Sequence, residues 1–234
     1  MLSVDTGSRI KAVPDATACI VVIDDDQQVR ESLGRLLRAA GLRCRLFATI
    51  TEFLTSEPPS GPTCLVLDIR LQGESGLDLQ RDLAAANSRV PIVFITGHAD
   101  VPTTVQALKG GAIEFLTKPF REQDLLDAVN LGLARDRARR ESEEALRALR
   151  ARFEALTPRE RAVLLQVSKG RLNKQIAGEL GITETTVKVH RRNMMRKFKA
   201  TSVAELCRMV DKLKGLPESS APVSPSGSDE GALR

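Results

Sequence analysis

Residues 20–28 read IVVIDDDQQ, so that four β-branched apolar residues run directly into three consecutive aspartates. Apolar β-branched runs of this kind are typical of buried β-strands. Two carboxylates about 4 Å apart repel each other by ~4 kcal/mol at an effective dielectric constant of about 20. A strand that ends in three acids therefore needs positive charge nearby.

Five strand-like runs alternate with helical or loop segments over the first half of the chain. They are CIVVID (19–24), RCRLFA (43–48), CLVLD (64–68), PIVFIT (91–96) and IEFLTK (113–118). Strands that alternate with helices are typical of a parallel α/β sheet. The first, third and fourth runs are apolar nearly throughout, which predicts central strands covered on both faces. The alternation in RCRLFA predicts an edge strand.

Polar residues stand at the carboxyl ends of four of these runs, where ligands bind in parallel α/β sheets. They are Asp24, Asp25, Asp26, Asp68, Thr96 and Lys118. A helix N-cap accounts for Asp26 but not for the other three acids. Mg²⁺ binds carboxylate and carbonyl oxygens and would offset their repulsion. The pattern therefore predicts one pocket that holds Mg²⁺.

Four motifs in this half, VIDDD, LVLDIR, FITGHAD and EFLTKPF, occur in the order in which they occur in receiver domains of two-component response regulators. Residues 17 to 135 resemble that domain. The resemblance implies a flavodoxin-like fold, in which a parallel five-stranded sheet has the strand order 2-1-3-4-5. This order places the first and third strands side by side, and with them the two sets of acids.

By this resemblance, Asp68 is the phosphoacceptor, and its carboxylate attacks the phosphohistidine of a sensor histidine kinase. Mg²⁺ would be held by Asp24, Asp25, Asp68 and the backbone carbonyl of Arg70. Lys118 would pair with a phosphoryl oxygen. Judged alone, Lys118 could equally be a solvated lysine.

The resemblance also implies a switch, in which Thr96 hydrogen-bonds a phosphoryl oxygen and the aromatic ring of Phe115 turns inward. Judged alone, Thr96 could be a strand-end hydroxyl and Phe115 an ordinary core residue. The family has a cis peptide bond between the equivalents of Lys118 and Pro119. It usually has proline where this chain has Gln72, so we expect a less rigid loop after the phosphoacceptor.

Charge is divided unevenly along the chain of 234 residues, whose net charge is +5. Residues 1–130 have a net charge of −4, whereas residues 153–216 hold 14 basic and 6 acidic side chains. This division predicts a module that binds cations beside one that binds phosphate backbones. With no membrane-length apolar run and no signal peptide in the sequence, we expect a cytoplasmic protein. The four cysteines lack C-x-x-C spacing and are expected to be free thiols.

Residues 122–156 have the apolar spacing of one long helix or of two abutting helices, with the polar centre ARDRARRESEE at 134–144. We expect a receiver domain at 17–130 and a solvated helical linker at 131–152 that extends its last helix. A coiled-coil seam is the alternative. Residues 1–16 and the Ser- and Pro-rich tail at 217–234 are expected to be disordered.

Residues 153–216 predict a bundle of four helices. TPRE at 157–160 has the threonine, proline and glutamate of a capped helix start. The run NKQIAGEL, with Asn173 as its predicted N-cap, is followed by Gly181 and by a helix from Thr183 to about Phe198. Helix, glycine turn and helix form the helix-turn-helix pattern. A last helix from Ser202 is expected to bury Val203, Leu206 and Val210.

The third of these helices has an apolar face with Val187, Met194 and Phe198 and an opposite basic face. A basic helix after a helix-turn-helix turn is placed to read the major groove of DNA, although a solvated cationic stripe is the alternative. Residues 153–213 resemble the LuxR-type DNA-binding domain, and the whole chain resembles the FixJ/NarL subfamily of response regulators. This resemblance assigns base contacts to Lys188, Val189 and Arg192, and phosphate contacts to Arg191, Lys174 and Asn173.

The resemblance implies a transcription regulator that is not an enzyme, beyond catalysing its own phosphorylation and dephosphorylation. Phosphorylation of Asp68 would promote homodimerisation, through the face of the fourth helix and fifth strand, and sequence-specific binding to promoter DNA. RNA polymerase would be a further partner. Two alternatives stay open: a receiver that is never phosphorylated and serves as an interaction module, and a magnesium-dependent phosphohydrolase of the haloacid dehalogenase type. In the latter, Asp24 and Asp26 would form a D-x-D motif.

Overall fold

The computed structural model describes residues 17–98 and 100–214. The segments at 1–16 and 217–234, for which disorder was predicted, lie outside this range. The chain divides into two compact units between Ser142 and Glu143. Among the described residues, no helix combines the length and apolar character needed to cross a membrane.

Seven strands lie in the described residues of the first unit. They are β1 (Cys19–Ile23), β2 (Arg43–Phe47), β3 (Thr63–Asp68), β4 (Arg70–Leu71), β5 (Glu74–Ser75), β6 (Ile92–Thr96) and β7 (Glu114–Thr117). Five of them form a parallel sheet in the order β2-β1-β3-β6-β7, and β4 and β5 form a separate antiparallel ladder. Counted over the five sheet strands, this is the predicted 2-1-3-4-5 order. RCRLFA forms an edge strand as predicted.

Nine helices lie in the described residues. They are α1 (Gln27–Ala39), α2 (Ile50–Thr55), α3 (Gly76–Ala85), α4 (Val101–Lys109), α5 (Glu122–Glu154), α6 (Pro158–Ser168), α7 (Asn173–Leu180), α8 (Glu184–Phe198) and α9 (Val203–Lys214). Helices α1 and α5 cover one face of the sheet, and α2, α3 and α4 cover the other. Burial on both faces explains why β1, β3 and β6 are apolar nearly throughout.

Helix α5 runs without a break through the segment that was predicted to be a solvated linker. That prediction is wrong at Asp136, which is fully buried. Its carboxylate accepts the backbone N–H of Thr63 at 2.9 Å and pairs with the guanidinium groups of Arg139 and Arg140. One turn earlier, a Cβ on Gly132 would lie 2.5 Å from the sulfur of Cys64, so the glycine allows the helix to approach β3 closely.

The second unit packs α6 to α9 around one apolar cluster that includes Val163, Ile176, Phe198 and Leu206. The predicted capping box of Thr157 and Glu160 begins α6. Gly181 has a φ of +64° and forms the turn between α7 and α8, as predicted. The N-cap of α7 and the burial of Val203 differ from the prediction.

The N-cap of α7 is Leu172, and Asn173 is the first residue inside the helix. The side chain of Gln175 takes the role of a cap, because its oxygen accepts the backbone N–H of Leu172 at 2.9 Å. Val203 is exposed, because it occupies the first turn of α9, whereas Leu206 and Val210 are buried. The core face of α9 therefore begins one turn later than expected.

Candidate functional site

Three carboxylates meet at the carboxyl edge of the parallel sheet. Strands β1 and β3 are neighbours in register, with Ile23 opposite Leu67, so the residues that follow them lie side by side. Carboxylate oxygens of Asp24, Asp25 and Asp68 all lie within 4.8 Å of one another. Asp24 and Asp68 are buried and Asp25 is half-buried. We call these three residues the acidic pocket.

The positive charge that the acids require is the ammonium group of Lys118, which follows β7. Its Nζ lies 2.7 Å from Oδ2 of Asp24 and 2.7 Å from Oδ2 of Asp68. The peptide bond between Lys118 and Pro119 is cis, as the resemblance implied. The sheet thus brings together side chains that are 94 and 50 positions apart in the sequence.

Burial and ion pairing act in opposite directions on these groups. Burial raises the pKa of the Asp24 carboxyl above its ordinary value, although the hydrogen bond from Lys118 opposes this. Burial alone would lower the pKa of the Lys118 ammonium, but its hydrogen bonds to Asp24 and Asp68 raise it. Lys118 is therefore held as a cation, and it offsets part of the repulsion between the acids.

Asp26 is exposed and takes no part in the acidic pocket. Its carboxylate accepts the backbone N–H groups of Gln28 at 2.8 Å and Val29 at 3.2 Å, and so caps α1. The D-x-D alternative loses its second acid by this geometry. Sequence reasoning missed Arg30, whose guanidinium donates to the backbone carbonyl of Asp24 at 2.7 Å. No local pattern signals this contact, because it depends on how α1 turns back over the strand end.

Thr96 and Phe115 lie on the neighbouring strands β6 and β7. Thr96 is buried at the end of β6, and its hydroxyl donates to the carbonyl of His98 at 3.0 Å. Phe115 stands opposite Phe94 in the β6–β7 register and is half-buried against the apolar cluster. In this arrangement the Thr96 hydroxyl is engaged with the backbone, while Phe115 is only partly covered.

The loop after Asp68 is a short hairpin made by β4 and β5. The backbone N–H of Arg70 donates to Oδ1 of Asp68 at 3.0 Å, so the loop begins at the pocket. Gly73 has a φ of +75° in the turn, a conformation that glycine adopts without strain. This turn follows Gln72, the position at which the sequence departs from the family pattern.

The acidic pocket fits Mg²⁺ by the chemistry of its donors. Mg²⁺ takes oxygen ligands and is usually bound by one or two carboxylates together with water and phosphate oxygens. Two buried carboxylates and one half-buried carboxylate supply such oxygens on adjacent strand ends. A carbonyl from the loop at Arg70 would complete a set of hard oxygen ligands.

A second group of predicted residues lies on α7 and α8. Lys188, Val189 and Arg192 are exposed on α8, on the side away from buried Val187 and Met194. Half-buried Arg191 donates to Oδ1 of Asn173 at 3.1 Å and so links α8 to the start of α7. Lys174 is exposed beside it. We call the surface of Lys174, Lys188, Val189 and Arg192 the basic face.

Two family models match the chain. The response regulator receiver domain matches residues 20–130. Bacterial regulatory proteins of the luxR family match residues 154–210. The two matches cover the acidic pocket and the basic face, respectively.

Individual proteins are similar over most of the chain. Nodulation protein W of Bradyrhizobium diazoefficiens is 50% identical over 196 residues, which are 84% of this chain and 86% of that protein. Response regulator protein TmoT of Ectopseudomonas mendocina is 46% identical over 200 residues, 86% of this chain and 91% of that protein. The solved structure of response regulator StyR is 50% identical, with a TM-score of 0.78, and the match covers 84% of this chain and all of that one.

Proposed function

We propose that phosphoryl transfer to Asp68 controls the binding of this chain to promoter DNA. The chain belongs to the response regulators that join a receiver domain to a LuxR-type DNA-binding domain. Members of this family regulate transcription rather than act as enzymes, and they work with a kinase. The observation that carries the proposal is the Lys118 ammonium, which lies 2.7 Å from carboxylates of both Asp24 and Asp68.

The chemistry is the attack of an Asp68 carboxylate oxygen on the phosphorus of a kinase phosphohistidine. A P–O bond forms, the P–N bond breaks, and the leaving imidazole keeps the electron pair. The Lys118 ammonium moves its pairing from Asp68 to a phosphoryl oxygen. Asp24, Asp25, Asp68 and the backbone carbonyl of Arg70 would hold Mg²⁺, which would neutralise part of the phosphoryl charge when bound.

Phosphorylation is then transmitted through groups that can move. The Thr96 hydroxyl exchanges the His98 carbonyl for a phosphoryl oxygen, and half-buried Phe115 turns inward beside it. Helix α4, which packs beside β7, exposes three apolar side chains on one face. They are Val101, Val105 and Leu108. A change at Thr96 and Phe115 alters this face, through which two phosphorylated chains would dimerise.

A dimer would present two basic faces to DNA, at half-sites one helical turn or ~34–36 Å apart. Lys188 and Arg192 would bond guanine edges, and exposed Val189 would touch a thymine methyl. Lys174, Asn173 and Arg191 would bind phosphates. RNA polymerase would be the next partner on the promoter. This scheme assigns reception to residues 17–130, DNA binding to 153–216 and connection to 131–152, a segment in which Gly132 and Asp136 also pack against β3.

The test begins with mass spectrometry after incubation with Mg²⁺ and acetyl phosphate. We expect one phosphoryl adduct on the wild type and none on Asp68→Asn. Asp26→Asn is the matched control, because asparagine also caps a helix and Asp26 lies outside the pocket. An adduct that survives Asp68→Asn but disappears in Asp24→Asn would contradict the assignment.

The same samples are then titrated against duplexes selected from random sequence with the phosphorylated protein. We expect tighter binding and a doubled mass in light scattering for phosphorylated wild type only. A phosphorylated chain that stays monomeric at micromolar concentration would overturn the dimer step. If no adduct forms at all, the receiver acts as an unphosphorylated interaction module.

A further inference from the structure

Glu74 connects the hairpin after Asp68 to the start of helix α2. Its Oε2 accepts the backbone N–H of Ile50 at 2.7 Å, and its Oε1 accepts the Thr51 hydroxyl at 2.9 Å and the Thr51 N–H at 3.3 Å. One carboxylate thus takes three donors from the first turn of α2. Hydrogen bonds to a charged acceptor are stronger than those between neutral groups.

The hairpin that Glu74 belongs to is small and lies against the phosphoacceptor. Each of its strands has two residues, with Leu71 opposite Glu74, and a ladder of that length is marginal by itself. At its end, a Cβ on Gly76 would lie 2.5 Å from the carbonyl oxygen of Asp68. The hairpin therefore needs an external attachment, and any shift in it reaches Asp68 directly.

The cap residue of α2 itself does not accept the N–H groups of Ile50 and Thr51 that Glu74 binds. The side-chain hydroxyl of Thr49, the N-cap of α2, accepts the N–H of Glu52 at 3.1 Å. Glu52 in turn bonds the N–H of Ala48 at 2.8 Å, away from the hairpin. The N–H groups of Ile50 and Thr51, the first two of the helix, thus have their acceptor in the hairpin, 24 and 23 positions further along the chain.

We propose that Glu74 is a positioning residue for the phosphoryl-transfer site. It fixes the hairpin on α2 and thereby holds the backbone of Arg70 at the mouth of the acidic pocket, where its carbonyl would complete the Mg²⁺ ligands. This inference rests on the proposed function, because it takes the Arg70 carbonyl as a ligand.

The experiment measures Mg²⁺ binding to the full chain by isothermal titration calorimetry, with Mg²⁺ alone as the probe. Groups that stand behind metal ligands change affinity by about 10- to 100-fold when removed. We expect Glu74→Ala to weaken Mg²⁺ binding by about tenfold, and Glu74→Gln, which keeps one acceptor oxygen, to weaken it less. Phosphorylation by acetyl phosphate should slow at limiting Mg²⁺ and recover at saturating Mg²⁺.

Glu52→Ala is the matched control, because it removes a cap from the same helix without touching the hairpin. It should lower the melting temperature about as much as Glu74→Ala and leave Mg²⁺ affinity within twofold of the wild type. Hydrogen exchange should increase at residues 69–76 in Glu74→Ala only. Wild-type Mg²⁺ affinity in a folded Glu74→Ala would overturn this proposal alone, whereas a wild type that binds no Mg²⁺ would overturn the proposed metal site and this inference with it.

Discussion

Replacing Asp136 by alanine should destabilise the first unit more than any other single acid-to-alanine change on α5. The change leaves the backbone N–H of Thr63 buried without an acceptor, which costs about 1–3 kcal/mol. The side chains of Arg139 and Arg140 are 25% and 34% exposed, so they can turn toward water, and losing their pairs adds about 1 kcal/mol. The expected loss is about 2–4 kcal/mol of unfolding free energy.

At about 4 °C per kcal/mol, the Asp136→Ala transition should fall by about 8–16 °C. The chain has no Trp and no Tyr, so scanning calorimetry and circular dichroism are the suitable assays. Asp127→Ala is the control, because Asp127 is exposed on the same helix. Its carboxylate accepts a hydrogen bond from the side chain of Gln123, which lies on the same helix. Equal shifts in the two variants, or unchanged hydrogen exchange at the Thr63 amide, would refute the reasoning.

Three further measurements test other contacts. Gly132→Ala should destabilise the protein by about 1–3 kcal/mol, because the added Cβ clashes with the sulfur of Cys64. In a Cys64→Ala background, which removes that sulfur, calorimetry should show a smaller loss. Burial alone would raise the pKa of Glu160, but the hydrogen bond from Lys197 holds it below its ordinary value. Its stabilising effect is therefore present above the ordinary pKa and lost as pH falls through the lowered one, so Glu160→Gln should flatten the acid side of a melting-temperature profile. Arg192→Ala should weaken binding to a selected DNA site by about 1–3 kcal/mol in a gel-shift titration.

The acidic pocket could be predicted because its position follows from the topology of the sheet. Residues that follow parallel strands meet at one edge of the sheet, so Asp24 and Asp68 were expected together once five strands were recognised. The strand order itself came from the family resemblance, since periodicity does not say which strands are neighbours. The double pairing of Lys118 depends on a side-chain conformation and on the turn at Pro119, which no spacing rule gives.

The burial of Asp136 was not predicted, because the many charged residues around it indicate a helix exposed to solvent. The run around it is polar on nearly every side, which is typical of a solvated helix. Yet Leu125, Val129, Gly132, Leu133 and Asp136 follow one another at helical spacing on the face that covers the sheet. The glycine within that face was the available signal, because it indicates close approach to another element. Glu74 and Arg30 offered no such signal, since their partners are backbone groups of other segments.

These contacts divide the first unit into fixed and movable parts. Strand β3 is buried along its whole length and has Asp68 at its carboxyl end. At its other end, the backbone N–H of Thr63 donates a hydrogen bond to the carboxylate of Asp136 on α5. Separating β3 from α5 would break the hydrogen bond from Thr63 to the charged Asp136 and would expose the apolar residues of the cluster between them, so we expect this junction to stay closed in the proposed phosphorylation of Asp68. The groups that can rearrange at small cost are the Thr96 hydroxyl and the half-buried Phe115. The signal should therefore leave the receiver through α4 and β7, which favours control by association of two chains over a movement of α5 against the sheet.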